Sequence, residues 1–300
     1  MPFFSVITPS FNQGDYIGDC ISSVLAQGDA DFEHLVFDNE STDRTSQVLA
    51  AHPHLRTVVE RDRGQSHAVN KGFSTAQGEI ICWLNSDDAY PEGLFHRLRE
   101  IFANPDIEVV FGDVQQVAYD GSAPIQAPGR FEDRLDLVHW WTSRVKLHQP
   151  AIFFRRRLLD SVGLLREDLH YAMDYEFWWR LSEHHPFHYV PEILAIQHRQ
   201  PDSKTILHWQ KVLDERERIF SPFYHLIDGG DPTALSRQRR SELSVKYLAM
   251  ALQLAPSGWG LARPYLQRAL RQAPLLVLRP DWLGVPWRSL RATLLGSSRP

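Results

Sequence analysis

The sequence predicts an α/β protein with an open, mostly parallel sheet flanked by helices, followed by an all-helical C-terminal region. Short apolar runs typical of strands alternate with helical periods through the front half of the chain, as in open α/β sheets. The run at residues 79–84 is almost continuously apolar, which is typical of a strand covered on both faces. From about residue 205 the pattern is helical throughout. We therefore expect an α/β domain at residues 1–204 and a helical region at residues 205–300.

The predicted elements alternate in order along the chain. A first helix is indicated by apolar residues at i, i+3, i+4, i+7 and i+8, namely Ile17, Cys20, Ile21, Val24 and Leu25. Strands are expected at residues 3–8, 34–37, 57–59, 79–84 and 109–111, and further helices at 41–49, 65–76, 91–102, 206–220, 236–254 and 261–272. A connector rich in Gly and Pro at residues 121–129 predicts a flexible loop near the site.

The composition is that of an ordinary globular chain and excludes several classes of protein. A hydrophobic content of 43% and a charged content of 23% over 300 residues exclude disordered and collagen-like chains. No uncharged apolar run approaches the ~20 residues that cross a bilayer, and the first residues lack the basic flank of a secretory signal, so we expect a cytoplasmic protein. Cys20 and Cys82 lie in apolar segments without metal-ligand spacing, which predicts a buried reduced pair.

The charge is distributed unevenly along the chain. Residues 1–203 carry 17 Lys and Arg against 30 Asp and Glu, whereas residues 204–300 carry 15 against 7. The basic part also contains Trp209, Trp259, Trp282 and Trp287. This combination fits either a surface that contacts acidic lipid headgroups, a self-association surface or a solvated helical face, and we do not expect a nucleic acid partner.

Polar side chains gather where the predicted strands end. Thr8, Asp38 and Asp87 each follow one strand, and residues 60–63 follow another. Open α/β sheets bind ligands beyond the carboxyl ends of their strands. The sequence therefore predicts a ligand site at this edge of the sheet.

The segment Asn85-Ser86-Asp87-Asp88 suggests a metal site directly after a buried strand. Two adjacent carboxylates repel each other, and Mg²⁺ or Mn²⁺ would relieve that repulsion while bridging to phosphate oxygens. The alternative is a turn that caps the helix beginning near Pro91, because Asp is also a common turn residue.

Two further features fit a nucleotide, each with a structural alternative. Asp38 can accept a hydrogen bond from a nucleobase N–H or a ribose hydroxyl, or it can cap the next helix. The guanidinium groups of Arg61 and Arg63 suit phosphate contacts, and they equally suit surface ion pairs.

An aromatic-rich helix start at residues 171–180 carries Asp174. Asp is a preferred N-cap residue, and a carboxylate among aromatic rings is also suited to act as a general base for a sugar hydroxyl. Upstream, His148 and Gln149 suit a substrate cleft and residues 155–157, three arginines, suit an anionic acceptor, although both features are common in purely structural roles.

Taken in this order, the motifs resemble those of family 2 glycosyltransferases of the GT-A type. The stretches that carry the resemblance are residues 6–12, 36–45, 62–65, 70–72, 76–79 and 84–88, and Met173 and Asp174 with Trp178 and Arg180. They span residues 3 to about 205, so the C-terminal helices are not covered.

The resemblance implies a GT-A fold and a role for each motif. It implies an inverting, metal-dependent transfer from a nucleoside-diphosphate sugar, most often a UDP-sugar, to a glycan or lipid-linked acceptor at the cytoplasmic face of a membrane. Asp174 would deprotonate the acceptor. The nucleotide would contact Thr8, Pro9, Ser10, Phe11, Asn12, Asp38, Arg61 or Arg63, Asn85 and Ser86, with Phe11 against the base. Asp87, Asp88 and His198 would serve the Mn²⁺ or Mg²⁺, and Asp113, His148, Gln149, Met173 and Trp178 would line the donor-sugar or acceptor pocket.

Three positions depart from the family pattern. Asn85 stands where the first Asp of the D-x-D motif is usual, and Met173 replaces the acidic neighbour of the base. Near the end of the domain, His198 and Gln200 stand where the family often has Arg-x-His before a serine, here Ser203. This last departure leaves open whether residues near the end of the domain contact the diphosphate, and it makes His198 only a candidate for that role.

Two rival functions are considered. A sugar nucleotidyltransferase would have a Gly-rich phosphate loop after the first strand, but the first glycine of this chain is Gly14. A non-catalytic nucleotide-sugar-binding or scaffold protein is favoured by Asn85 and Met173, whereas the retention of Asp87 and Asp174 favours an enzyme.

Overall fold

The computed structural model describes residues 1–28, 31–118, 122–142, 144–199, 208–255 and 259–273. The chain divides into two compact units, Met1–Pro222 and Phe223–Pro300. No helix within the described ranges has the length and apolar character needed to cross a membrane. The expectations for Gln200, Ser203, Trp282 and Trp287 fall outside the described residues.

The first unit consists of a sheet flanked by helices. Its strands are β1 Phe4–Ser10, β2 Phe32–Asp38, β3 Arg56–Val59, β4 Ile80–Trp83, β5 Asp88–Ala89, β6 Val109–Ala118, β7 Ile125–Ala127, β8 Ile152–Arg155 and β9 Phe187–Arg199. Its helices are α1 Ile17–Leu25, α2 Thr45–Ala50, α3 Gln65–Thr75, α4 Leu94–Phe102, α5 Leu135–Val138, α6 Leu158–Val162, α7 Met173–Leu181 and α8 Trp209–Phe220, with a short 3-10 helix at Gln149–Ala151.

The strand order confirms the predicted α/β sheet and shows that one half of it is mixed. The order is β3-β2-β1-β4-β8-β6-β9-β5, with β7 beside β6. Strands β1 to β4 are parallel to one another where they pair, whereas β8 is antiparallel to both β4 and β6. In the register of β1 with β2, Ser10 lies opposite Asp38. The ends of β1 and β2 therefore reach the same edge of the sheet.

Helix α1 buries the stripe that the sequence predicts, except at its last residue. Ile17, Cys20, Ile21 and Val24 are at most 1% exposed, whereas Leu25 is 50% exposed because the helix ends there. Cys20 and Cys82 are buried and unpaired as predicted, and burial raises the pKa of both thiols.

Helix α3 lies very close to the sheet and holds the segment that leads to α7. A Cβ on Gly72 would come 2.3 Å from Cγ2 of Ile7 in β1, so only glycine allows this approach. The amide of Asn70 donates to the carbonyl of Leu165 at 2.9 Å and accepts from its N–H at 2.8 Å. Ser66 Oγ donates to the carbonyl of Leu169 at 3.0 Å. Residues 165–169 are thereby fixed on α3.

Helix α8 belongs to the first compact unit, although the sequence assigns it to the C-terminal region. Val212, Leu213 and Phe220 on this helix are at most 3% exposed. The ring of Phe220 meets that of Trp179 on α7 edge to face, with centroids 5.9 Å apart. The boundary at 204/205 therefore differs from the division at 222/223, because this apolar face is buried within the first unit.

In its described residues the second unit contains two α-helices, α9 Pro232–Leu254 and α10 Trp259–Gln272. A 3-10 helix at Ser221–Leu226 spans the boundary between the units. The side chain of Asp231 caps α9 by accepting from the N–H groups of Thr233 and Ala234 at 3.0 and 2.9 Å. Ser244 Oγ on α9 donates to the carbonyl of Ala269 on α10 at 2.9 Å. The predicted helical character of this part is confirmed.

Candidate functional site

The loop after β1 is tied to the loop after β2. The N–H of Asn12 donates to Ser41 Oγ at 2.7 Å, and its side-chain oxygen accepts from the N–H of Thr42 at 2.9 Å. The N–H of Gln13 donates to Thr45 Oγ1 at 3.0 Å. Asn12 has a φ of +52°, a conformation that Asn adopts more readily than most residues. Residues 8–12, the predicted nucleotide cradle, thus end in a fixed loop.

The five cradle residues have different surroundings. Thr8 and Pro9 are buried, and Thr8 Oγ1 is hydrogen-bonded to His34 Nε2 at 2.9 Å inside the sheet. Ser10 is 5% exposed and its Oγ has no hydrogen-bond partner among the described residues. Phe11 is 54% exposed, so its ring is accessible to a planar group.

Asp38 is bonded within the loop after β2 and does not cap the next helix, α2, which begins at Thr45 without a side-chain cap. Its carboxylate is 2% exposed and accepts from the N–H and the Oγ of Ser41 at 2.9 and 2.6 Å. The next residue, Asn39, accepts through its side-chain oxygen from the N–H of Asp62 at 2.7 Å. Asp38 therefore fixes the loop after β2, and its predicted contact with a base stays a prediction.

The two candidate arginines differ in their contacts. Arg63 donates through Nε and Nη2 to Glu167 Oε2 at 2.9 and 2.5 Å, which is the surface ion pair of the alternative interpretation. Arg61 is exposed and makes none of the ion pairs found in the described part of the chain. A phosphate contact by Arg61 or Arg63 stays a prediction.

Asn85 is the centre of an amide network. Its side-chain oxygen accepts from Gln65 Nε2 at 2.9 Å and from Trp83 Nε1 at 3.2 Å. Its Nδ2 donates to Gln149 Oε1 at 2.9 Å, and Gln149 Nε2 donates to the carbonyl of Trp83 at 2.6 Å. A carboxylate at position 85 accepts but does not donate, so an amide satisfies both neighbours where an Asp would not.

Asp87, Asp88 and His198 meet where β5 pairs with β9. His198 Nδ1 donates to the carbonyl of Asp87 at 2.7 Å, and its N–H donates to Asp88 Oδ1 at 3.3 Å. Burial raises the pKa of both carboxyls, more strongly for Asp88, where the charge of Asp87 adds to the effect. In the described ranges no group of three or more His, Cys, Asp and Glu side chains is arranged to hold a metal ion.

Ser86 joins this loop to the end of β1. Its Oγ donates to the carbonyl of Pro9 at 2.6 Å, and the side chain is 3% exposed. The loops after β1, β2 and β4 are therefore connected through Pro9, Ser10 and Asn39, since the N–H of Asn39 donates to the carbonyl of Ser10 at 2.9 Å. The structure thus brings the predicted nucleotide residues and Asp87 to one edge of the sheet.

Asp174 lies in the first turn of α7, two residues after the N-cap position, Ala172. Its Oδ1 accepts from the N–H of Tyr175 at 2.8 Å. Burial raises the pKa of Asp174, and the guanidinium of Arg216 opposes that rise. A partly buried carboxyl with a raised pKa is suited to take up a proton.

Asp113 and Trp178 have structural contacts in the region predicted to line a pocket. Asp113 accepts from the hydroxyl of Tyr189 at 2.7 Å, from the N–H of Gly129 at 2.9 Å and from Gln126 Nε2 at 2.9 Å. Burial alone would raise the pKa of Asp113, but these hydrogen bonds bring it below its usual range. Trp178 is fully buried, so its ring packs in the core.

The remaining predicted pocket residues lie close to these groups. Met173 is 5% exposed at the start of α7, and Gln149 is held in the amide network. Burial lowers the pKa of His148, although the charge of Asp113 opposes this effect. A pocket role for these residues stays a prediction.

Three residues of the site were not identified from the sequence. Gln65 bonds Asn85 from the first turn of α3, and Glu215 and Arg216 approach the start of α7 from α8. A signal existed for Gln65, because residues 62–65 carry part of the resemblance to the family and precede a predicted helix. No local pattern identifies Glu215 and Arg216, because their contacts are 40 or more residues away in the chain.

The loops after β1, β2 and β4 thus meet at one edge of the sheet, and the last of them carries Asp87 and Asp88. The sequence model of the family described as glycosyl transferase family 2 matches residues 5–163, more than half of the chain. The chain belongs to this family. The predicted family and fold type are thereby confirmed.

Individual proteins show the same likeness. An uncharacterized glycosyltransferase of Rickettsia typhi is 26% identical over 230 residues, which cover 74% of this chain and 71% of that protein. Mannosyltransferase PcManGT from Pyrobaculum calidifontis, in complex with GDP-Man and Mn²⁺, has a TM-score of 0.56 at 19% identity and covers 98% of this chain and 85% of its own. S. aureus TarS in complex with UDP-GlcNAc has a TM-score of 0.56 at 17% identity, covering 92% of this chain and 91% of its own. At these identities the two structures show a common fold.

Proposed function

We propose that this glycosyltransferase moves a sugar from a nucleoside-diphosphate sugar, specifically a UDP-sugar, to a glycan or lipid-linked acceptor in a single inverting displacement. The observation that carries the proposal is that the start of α3 is hydrogen-bonded both to the loop that carries Asp87 and to the segment that precedes Asp174. Gln65 contacts Asn85 in the Asp87 loop, and Ser66 contacts Leu169 in the segment that leads to Asp174. The first two residues of α3 therefore contact both the loop proposed to bind the leaving diphosphate and the segment that leads to the proposed base.

The donor is expected at the connected loops after β1, β2 and β4. The exposed ring of Phe11 would provide a face for the base. Arg61 would contact the diphosphate. The TarS structure contains UDP-GlcNAc and the PcManGT structure contains GDP-Man, so both nucleotides belong in the test.

A divalent cation is expected at the loop after β4, where Asp87 and Asp88 would supply carboxylate ligands. Asp87 offers a carboxylate, and the His198 ring lies at the same loop, where its Nδ1 donates to the carbonyl of Asp87. Mg²⁺ and Mn²⁺ in such sites use one or two protein carboxylates and take further ligands from substrate phosphates. Bound at Asp87, the cation supplies positive charge that stabilises the leaving diphosphate.

Asp174 acts as the general base in this proposal. The acceptor hydroxyl transfers its proton to the carboxylate while the acceptor oxygen bonds to the anomeric carbon. The bond from that carbon to the diphosphate oxygen breaks at the same time, and its electron pair leaves with the nucleoside diphosphate. Attack from the opposite face inverts the configuration.

A donor panel tests the proposal. The full-length protein is incubated with UDP-sugars and GDP-mannose, with Mn²⁺, with Mg²⁺ or with EDTA, and released nucleoside diphosphate is measured. The proposal expects turnover of one donor that depends on the cation and is lost in Asp87→Ala. Turnover that is equal in EDTA would overturn the metal role.

A non-catalytic nucleotide-sugar-binding protein is the second candidate, favoured by Met173 beside Asp174 and by Asn85 at the end of β4. Calorimetric titration with UDP and Mn²⁺ distinguishes the candidates. Binding without turnover of any donor, with and without glycan or lipid-linked acceptors, would favour the binding protein. The hydrogen bonds of Asn85 weaken the case for the binding protein. They give a structural reason for an amide at position 85, so the amide does not indicate a lost activity.

A further inference from the structure

Helix α8 supplies a carboxylate to the backbone that precedes α7. Glu215 accepts from three consecutive N–H groups, those of His170 at 2.8 Å, Tyr171 at 2.7 Å and Ala172 at 2.9 Å. Helix starts have N–H groups without intrahelical partners, and an ionised acceptor makes the strongest bonds to them. Glu215 therefore fixes the three peptide groups directly before Met173 and Asp174.

The next residue of α8 brings a positive charge to the same place. The guanidinium carbon of Arg216 lies 3.9 Å from the centre of the Tyr175 ring, one residue after Asp174. Arg216 forms no ion pair within the described part of the chain, and its Nε is buried without a hydrogen-bond partner there. Its charge is therefore not neutralised by another carboxylate and acts on Asp174, whose pKa it lowers against the effect of burial.

A third residue of α8 extends this attachment. Arg218 Nη2 donates to the carbonyl of Asp168 at 3.0 Å and lies 3.5 Å from a carboxylate oxygen of the same residue. Together with Glu215 and Arg216, it holds residues 168–175 along one helix. The segment is also bonded to α3 through Leu165 and Leu169, so it is fixed from two sides.

The charges that act on Asp174 from other elements come from this helix. Glu215 raises the pKa of Asp174 and Arg216 lowers it. Residue 173 is a buried methionine and brings no charge. On α7 itself, Glu176 is paired with Arg180 through Nε and Nη2, both at 2.9 Å.

We propose that Glu215 and Arg216 are positioning residues for Asp174, so that α8, outside the family-matched residues 5–163, determines the orientation and basicity of the base. This inference rests on the proposed function. Glu215 would hold the turn that aims the carboxylate, and Arg216 would keep it ionised. The two residues have opposite charges, so their removal should have opposite electrostatic effects.

The pH dependence of kcat tests the proposal in the full-length protein. In Arg216→Met the lost positive charge raises the pKa of Asp174, so the acid limb of the profile should move to higher pH. In Glu215→Gln the lost negative charge should move it to lower pH, and the loosened turn should reduce kcat about tenfold. Donor KM and UDP affinity should change less than twofold. Glu215→Asp and Arg216→Lys should restore part of the loss.

Asp214→Asn is the matched control, because Asp214 lies on the same helix and accepts from Gln210 on the exposed side. Its profile should equal that of the wild type. Equal pH profiles and equal kcat in the wild type, Glu215→Gln and Arg216→Met would overturn the proposal while the transferase activity stands. Shifts of the same sign in both variants would also overturn it, since that result indicates general disruption.

Amide hydrogen exchange provides a readout that needs no turnover. In Glu215→Gln the amides of residues 170–172 should exchange at least tenfold faster than in the wild type, whereas those of α3 should not change. Unchanged exchange would contradict the proposal even if no donor is turned over. Absence of turnover in the wild type would instead count against the proposed function.

Discussion

Asn85 shows how one amide satisfies groups that a carboxylate would leave unpaired. In Asn85→Asp the donor to Gln149 Oε1 is lost, and a negative charge is placed beside an acceptor oxygen. A buried acceptor without its partner costs about 1 to 3 kcal/mol, so we expect the free energy of unfolding in urea to fall by that amount.

Asn104→Asp is the matched control for this variant. Asn104 is exposed, and its side-chain oxygen only accepts from the N–H of Asp106 at 3.0 Å, which a carboxylate also does. Its unfolding free energy should stay within ~0.5 kcal/mol of the wild type. A loss as large as that of Asn85→Asp would show that the network does not explain the amide.

The lowered pKa of the buried His34 ring should make the stability of the protein depend on pH. The ring is fully buried, which lowers its pKa to about 3, with the neighbouring His54 and His52 contributing. The unfolded chain binds a proton near pH 6.5 and the folded chain does not, so stability should rise with pH between about 3 and 6.5. This single group adds up to about 1.4 kcal/mol per pH unit to the slope.

In His34→Gln the slope of unfolding free energy against pH should become flatter over this range. His96→Gln is the control, because His96 lies exposed on α4 and should leave the slope unchanged. An identical slope in His34→Gln and the wild type would refute the assignment. Measurement by urea denaturation at pH 4, 5, 6 and 7 is sufficient.

At the scale of elements, Gly72 lets α3 pack closely against β1, and the start of the same helix contacts the candidate site. In Gly72→Ala the new methyl group would collide with Ile7, so α3 has to move away from β1. Overpacking of this kind costs about 1 to 3 kcal/mol. Because Gln65 and Ser66 lie at the start of the same helix, we also expect transferase activity to fall.

Gly18→Ala on α1 controls for the general effect of replacing a helical glycine. The nearest atom to its added methyl group is Val48 Cγ1 at an ordinary 3.7 Å, so this variant should gain up to about 1 kcal/mol. Thermal unfolding of both variants measures the difference. If Gly72→Ala is as stable as Gly18→Ala, close packing of α3 is not required.

The elements also show what the sequence predicts well. β1 and β2 end in the polar residues Ser10 and Asp38, β4 is apolar throughout, and α1 has a clear helical stripe, so local pattern was sufficient for these elements. Strands β8 and β9 were not predicted. β8 reads Ile-Phe-Phe-Arg without alternation, and β9 contains Pro191, a residue that argues against a strand in sequence, so neither has a clean strand pattern.

Some residues of the candidate site could be identified from local sequence patterns and others could not. Asp87, Asp88 and Asp174 were identified because their residue types follow strand or helix boundaries, and the structure brings Asp87 and Asp88 together with His198. Glu215 was not identified, because its carboxylate bonds residues more than 40 positions earlier. Contacts of that kind depend on the packing of whole helices.

At the scale of the whole molecule, the basic C-terminal part predicts peripheral contact with an anionic membrane. On α10, Arg263 and Arg271 are exposed, and Ala262 and Ala269 are buried. Each basic residue near an anionic surface contributes about 1 kcal/mol. The full-length protein should float with liposomes that contain phosphatidylserine, and Arg263→Gln with Arg271→Gln should reduce the floated fraction.

Liposomes of phosphatidylcholine alone and buffer with 0.5 M salt are the controls, since electrostatic binding is screened by salt. Undiminished flotation of the double variant would contradict the role of these arginines. Absence of flotation, with association of the protein in sedimentation, would instead favour the self-association surface.

The most direct measurement of the central claim compares the wild type with Asp174→Asn for transfer from the preferred donor. A general base contributes about 10² to 10⁴ in rate, so kcat should fall by that factor, whereas calorimetry should give UDP and Mn²⁺ affinities within twofold of the wild type. A kcat of Asp174→Asn within tenfold of that of the wild type would contradict the account, because no other residue is proposed to accept the proton of the acceptor hydroxyl.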